Sequence, residues 1–372
     1  MQEDIFLHRR YYMKFNKTLC AVTAAAVLLT GTAFADAIDD STQKISDGMN
    51  SFASTLLVVV PQVMTQQNVW ADAYIGKLFP ALPPHFGGGL SIAGTQLDMS
   101  GFKAAATALS EGYNSAASFM GTSSLPDFTI PDTFFLPTAS LDIRLGGFFL
   151  PFDIGICAMM TNPSLFSVNV KDPDSILTMS APLDFSFLGF DGSADYLMIG
   201  ADVRYAVFEG NLVLPAVSVG IGYYFTKGAF SVNSNNDSAS ANMNIAFKTQ
   251  VISLQAEVSK SFAIVTVYGG LRGILSDSTN NWAWDCTISG NKKSGEGTVT
   301  ADGATTTYQD GKWDFSSIQP QIFAGVGFNF LTFQTTLGAS YDLTWLYKKY
   351  LTDETVVPKN LWSGSFSFHV KL

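Results

Sequence analysis

From Ala139 onward, apolar and polar residues alternate with a period of two, and the pattern recurs segment after segment. In ASLDIRLGGF, Leu141, Ile143 and Leu145 take one face, while Asp142 and Arg144 take the other. PFDIGICAMM sets Phe152, Ile154, Ile156 and Ala158 against Asp153, and ILTMSAPLDFSF sets Leu177, Met179, Leu183 and Phe185 against Ser180 and Asp184. DYLMIGADVRYAVF opposes Ile199, Ala201 and Val203 to Asp202 and Arg204, and LPAVSVGIGYYFT opposes Val217, Val219 and Ile221 to Ser218 and glycines. KTQVISLQAEVSKS, AIVTVYGGLRG, IQPQIFAGVGFNF and LTFQTTLGASYDLTW continue, placing Glu257, Arg272 and Asp342 on their polar faces. SGSFSFHVKL sets Phe366, Phe368, Val370 and Leu372 against His369 and Lys371. A half-buried soluble sheet also alternates. It has no need of so many long strands whose apolar face carries almost no charge.

Connection lengths alternate as well. Short links at 208–211, 258–262 and 328–331 are interleaved with long polar ones at 228–243, 275–315 and 347–360. Barrels that cross an outer membrane have short turns at one end and long loops at the other. Starts near 85, 139, 151, 164, 177, 195, 212, 246, 261, 316, 331 and 361 give about 12 strands. Dropping the two least regular, near 85 and 164, gives ten, so the expected range is 10–14. The expected fold is all-β with a helical N-terminal segment: a single antiparallel transmembrane β-barrel over 85–372.

Ahead of the strands the period changes to that of a helix. Within 36–84, Ile45, Met49, Phe52, Leu56 and Val59 or Val60 share a stripe, with Asp39 to Ser41 available as caps. A second helix is expected as an insertion at 101–120, with Phe102, Ala106, Leu109, Tyr113 and Ala117 near one face. The first helix is expected to pack on the rest of the protein, sit in the periplasm or fill a lumen from below; the insertion folds into the lumen or covers its outer mouth, and both can be peripheral caps. Residues 1–35 read as a secretory signal: Lys14 and Lys17 form the basic region, 19–29 the apolar stretch, and Ala33-Phe34-Ala35 the cleavage site before Asp36. The residues before Met13 then read as upstream sequence from a start codon placed too early.

Composition fits this picture. Of the 372 residues 47% are hydrophobic and only 14% charged, against about 25% in an average globular domain. Beyond the signal no apolar run reaches the roughly 18 residues of a membrane helix. A closed barrel is therefore the remaining way to span lipid. Removing Glu3 and Asp4 with Arg9, Arg10, Lys14 and Lys17 takes the formal charge from −10 to −12, a poor match for nucleic acid. Cys157 and Cys286 alone survive that removal, so no disulfide framework carries the fold, and the sequence leaves their pairing open.

No enzymatic chemistry is indicated. The two remaining histidines, His85 and His369, are far apart, and His369 shares a polar strand face with Ser365 and Ser367 as any alternating strand would arrange. Gly-x-Ser-x-Gly and Gly-x-x-x-x-Gly-Lys motifs are missing, and no His, Cys and carboxylate cluster has metal-ligand spacing. HFGGGL reads as strand or turn glycines, and no cofactor is implied.

With the apolar face toward outer-membrane lipid, the polar face looks inward. It collects Asp142, Arg144, Asp153, Asp184, Asp202, Arg204, Glu257, Arg272, Asp342, His369 and Lys371. Rings of such charges either set solute preference or pair to fill the barrel. The expected activity is that of a passive channel or transporter for small solutes. The rivals are a plugged transporter of hydrophobic molecules and a non-conducting structural barrel or adhesin that uses its external loops. The oligomeric state is open.

DVRYAVFEGNLVLPAVSVGIGYYF, followed by VISLQAEVSKSFAIVTVYGGLRG, resembles outer-membrane barrel proteins of diderm bacteria from uncharacterised families. The resemblance covers roughly 139–372 and implies an architecture, not a substrate. Phe366, Phe368, Val370 and Leu372 are similar to the signal by which barrel-assembly machinery reads its clients, although that signal usually ends in Phe.

Overall fold

The computed structural model describes residues 32–66, 69–78, 85–108, 111, 131–160, 183–184, 192–236, 239–288, 291–302, 308–309, 312–313, 318–346 and 360–372. Its strands are β1 (Phe86–Asp98), β2 (Thr133–Gly146), β3 (Phe152–Met160), β4 (Leu183–Asp184), β5 (Gly192–Phe208), β6 (Ala216–Asn236), β7 (Ala239–Phe262), β8 (Val265–Ile288), β9 (Asn291–Asp302), β10 (Tyr308–Gln309), β11 (Lys312–Trp313), β12 (Gln319–Phe330), β13 (Phe333–Asp342) and β14 (Trp362–Lys371). Helix α1 spans Thr32–Thr65, and a short helix α2 covers 100–108.

Antiparallel pairing runs β12-β13-β14-β1-β2-β3-β5-β6-β7-β8, and β8 pairs back to β12, so the ring closes on 10 strands. Closure leaves no unpaired edge in the ring, the condition for strands to stand in lipid. The seam between β14 and β1 runs in register from Gly87 opposite Lys371 to Thr95 opposite Ser363. β8 serves two partners: Val265–Ile274 pairs with β12, and Asp277–Ile288 pairs with β9, which stands outside the ring.

Ten is the lower end of the expected range. The strand expected near 85 is in the ring as β1. The pair expected near 164 and 177 is not, because β3 pairs directly with β5 from Phe152 opposite Tyr205 to Met160 opposite Leu197. Among the described residues of that stretch β4 alone pairs with β5; 161–182 and 185–191 lie outside them. The links expected as loops at 228–243 and 275–315 are largely strand: β7 and β8 have 24 residues each, more than twice the 9–11 that a membrane crossing needs. Their polar character on both faces hid them from a two-faced pattern, while the backbone ladder continues regardless of side chain.

α1 enters this cylinder at its long-loop end. Ile45, Met49, Phe52, Leu56, Val59, Val60, Val63 and Met64 form a buried stripe, and Pro61 is accommodated inside the helix. α2 lies against α1. A Cβ on Gly48 would come within 2.6 Å of the Ala105 backbone nitrogen, so glycine sets that close approach. Residues 109–110 and 112–120, the rest of the expected second helix, lie outside the described residues.

Candidate functional site in the barrel lumen

The inward charges gather mainly on β2, β3, β5 and β7 because their strand registers place them side by side: Asp153 stands opposite Arg204, and Gly155 opposite both Arg144 and Asp202. Arg144 reaches Asp202 with Nη2 at 2.9 and 2.8 Å and also donates to Asp153. Arg204 grips Asp153 at 2.9 and 3.1 Å and reaches Glu257 at 3.4 Å. All five are buried. Desolvating such charges is costly, so the network holds only because each is paired. Arg272 stands apart, donating to Gln255 at 3.2 Å and lying over the Phe323 ring at 4.9 Å.

A second group forms on the neighbouring strands. Asp142 Oδ2 lies 2.9 Å from His369 Nε2, and Asp142 Oδ1 accepts from Trp70 Nε1 at 2.8 Å. The Trp70 and His369 rings stack. The glycine run of β1 makes room for them, since a Cβ on Gly89 would meet His369 Cδ2 at 2.6 Å and one on Gly87 would meet Trp70 at 2.7 Å. Asp342 does not join either cluster; it receives the Thr344 amide at 2.7 Å near the long-loop end of β13. The side chain of Asp184 lies outside the described residues.

Between α1 and β1 the chain runs as a strap, 69–78, through the short-turn part of the lumen. Its hydrogen bonds touch wall positions on β2, β3, β5, β7, β13 and β14. Asp72 accepts from Lys371 at 2.6 Å and from Gln334 at 2.7 Å, and its carbonyl receives Arg204 at 2.9 Å. The amides of Ala73 and Ile75 donate to Ser259 at 2.9 Å and Asp153 at 3.1 Å. Leu78 N donates to the Gly147 carbonyl in the β2–β3 turn at 2.9 Å. Ser367, next to His369 on the strand face, donates to the Val69 carbonyl at 3.1 Å, so its hydroxyl is committed to the strap.

Nearer the long-loop end the inner wall mixes an apolar cluster with buried hydroxyls and amides such as Thr226, Thr249, Ser278 and Asn280. Cys157, Met159, Met198, Tyr224, Ile245, Phe247, Val251, Ile274, Trp282 and Trp284 pack in one cluster with the α1 stripe. Cys157 is a buried free thiol, and the side chain of Cys286 lies outside the described residues. Polar contacts along α1 are few but placed at intervals: Gln62 to Ser363 at 2.8 Å, and Asn280 to the Ala53 carbonyl at 2.7 Å. Among the described residues, helix, strap and charge clusters occupy the lumen. Where strap, charges and helix meet, a cavity of about 20 Å³ is lined in part by Trp70, Glu257 and Arg272, which is room for roughly one water molecule.

The outer face is the converse. Leu141 is 63% exposed, Ile143 58% and Leu271 60%, with Ile156, Ile221, Leu254, Phe366 and Phe368 around the same belt. In water such a belt would be an aggregation surface; in lipid it is the required solvent contact. This chain is an outer-membrane-type β-barrel. Among the described residues no helix is long and apolar enough to cross a membrane, and the strands of the barrel make the crossing. Phe366, Phe368, Val370 and Leu372 stand on its lipid face.

No protein-family model matches the chain, and no curated protein matches it. Solved structures similar to this barrel include the translocator domain of the autotransporter NalP from Neisseria meningitidis, with 10% identity over 79% of this chain and 91% of that one and a TM-score of 0.34. A Pseudomonas aeruginosa FadL homologue matches at 8% identity over 77% and 90%, with a TM-score of 0.27. Ail, the attachment invasion locus protein of Yersinia pestis, matches at 10% identity over 77% and 96%, with a TM-score of 0.19. The assignment rests on the barrel's own closure and apolar belt.

The strap was the part of the site that sequence reasoning missed. Trp70, Asp72 and Lys77 lie in a stretch with neither period, between a helix and a strand. An aromatic and charges in such a stretch were the available signal.

Proposed function

We propose that this barrel is a transporter for small molecules, resting closed, whose pathway is occupied by its own N-terminal segment. The observation that supports this most is the course of 69–78, which crosses the short-turn part of the lumen and hydrogen-bonds to six of the ten wall strands. A permanently open channel needs a continuous lumen, and the filled interior argues against it. Held by a buried helix above and polar contacts below, the plug gives two different grips. Displacing the strap would uncover the charges of β2, β3 and β5 beneath the α1 chamber, whose wall combines apolar residues with hydroxyls and amides, a route suited to molecules with both apolar and polar parts. The short-turn end faces the periplasm in this proposal, as short turns do in bacterial barrels, following export through the signal in 1–35.

Single-channel recording in planar bilayers tests it. The full chain is expected to stay closed, and deletion of Asp36 to Leu78 is expected to give steady conductance steps. A deleted barrel that inserts but passes no current would sink the transporter and leave a structural barrel whose loops do the work.

A further inference from the structure

The four short turns end the barrel in apolar residues, not polar ones. Phe149 in the β2–β3 turn is 75% exposed, Leu212 and Val213 in the β5–β6 turn are 96% and 80%, and Leu331 in the β12–β13 turn is 100%. The β7–β8 turn adds Phe262 and Ile264. Only one charge sits in the turn segments 147–151, 209–215, 263–264 and 331–332, Glu209, and it pairs with Lys77 of the strap at 2.8 Å. Leu331 also has φ +54°, the left-handed region where glycine or asparagine is the usual choice.

The longest of these turns is built with its backbone polar groups satisfied from within. Asn211 Oδ1 accepts the amides of Val213 at 2.8 Å and Leu214 at 2.7 Å, and Asn211 N donates to the Leu214 carbonyl at 3.0 Å. Lys260 Nζ donates to the carbonyls of Asn211 at 2.9 Å and Leu212 at 2.7 Å. Such turns also form in water; in lipid they are required, because nothing there replaces a lost hydrogen bond.

The height of the belt points the same way. On the outer face of β8, the apolar and glycine positions run from Val265 to Leu275, and Asp277 is the first exposed charge beyond them. Ten steps of about 3.3 Å on a strand tilted by about 40° cover about 25 Å, the full apolar height of such barrels. A bilayer whose apolar region begins at Leu275, just inside Asp277, therefore ends at Val265, where the turn begins.

We propose that the short-turn rim is a lipid-binding surface: its tips lie in the acyl and headgroup boundary of the near leaflet, continuous with the apolar belt. The rim thereby fixes the depth of the barrel in the membrane. This rests on the membrane assignment but not on transport, and the test separates the two. In the full chain with its cysteines replaced by alanine, spin labels go on Leu212→Cys, Leu331→Cys and the mid-belt Leu141→Cys, in phospholipid vesicles. These side chains make no packing that the label would disturb, since all three face outward. Oxygen, which concentrates in lipid, is expected to relax all three labels more than a water-soluble nickel chelate does. Preferential relaxation by the chelate at Leu212→Cys and Leu331→Cys, with Leu141→Cys still favouring oxygen, would overturn the rim proposal alone. Exclusion of both reagents from the tips would overturn it in favour of a protein partner or a second copy. Chelate access at Leu141→Cys would overturn the membrane assignment with it.

Discussion

Trp70 stacks on His369 with ring centroids 4.1 Å apart and planes 22° from parallel, and both rings address the one carboxylate of Asp142. The strap and the ring-closing strand are thus joined through a single buried group. Trp70→Ala is expected to destabilise the seated plug by about 3–5 kcal/mol, the usual cost of removing a buried Trp. Trp70→Phe keeps a ring over His369 and should lose about 1–3 kcal/mol, because Asp142 loses a buried donor. Proteolytic cleavage within 69–78 of the folded barrel should follow that order; equal protection in all three proteins would refute it.

Arg144 bridges the charge cluster, donating to both Asp153 and Asp202. Arg144→Met is expected to cost about 3–5 kcal/mol, the penalty of stranding a buried charge. Adding Asp202→Leu should recover part of that loss. Denaturant unfolding of the single and double variants in micelles gives the coupling, and additive losses would show that the pair is not the controlling contact.

Asp72 is the one strap carboxylate, held by Lys371 and Gln334. Asp72→Asn removes the ionic part while leaving a side chain of the same shape. Faster hydrogen exchange at the amides of Ala71 to Ile75 is expected, with the strand amides of β2 and β13 unchanged. Uniformly faster exchange would mean that the barrel, not the strap, had loosened.

Leu141 distinguishes lipid from water on the outer face. Leu141→Arg in a soluble protein would be nearly neutral at 63% exposure, whereas near the bilayer midplane it should cost about 2–4 kcal/mol. Reversible folding into vesicles, compared with folding of the parent chain, measures the difference. No loss would remove the belt from the membrane.

What the sequence made legible was what a period of two encodes. The outward row Leu141, Ile143 and Leu145 and the inward pair Asp142 and Arg144 follow directly from alternation, and their exposure and burial agree with it. Alternation says that two faces differ; it does not say what fills the inside. Met198 and Tyr224 sit on inward positions yet are apolar there because α1 packs on them, a contact made between distant parts of the chain. Trp282 and Trp284 were hidden in a stretch read as loop for the same reason. The strand near 177 failed differently: its pattern was plausible, but β3 had already taken the place beside β5.

The pairing of β14 with β1 has a consequence for the order of assembly. His369 and Lys371 lie on the strand that seals the cylinder, and their partners in the strap, Trp70 and Asp72, precede the first strand, Asp72 standing 299 positions from Lys371. Contacts so distant in sequence form late. If the cylinder sealed empty, Asp142 would be shut in without its tryptophan donor and Lys371 without its carboxylate. Threading the interior and zipping the seam are therefore expected to finish together, and a chain delayed in one to be delayed in the other.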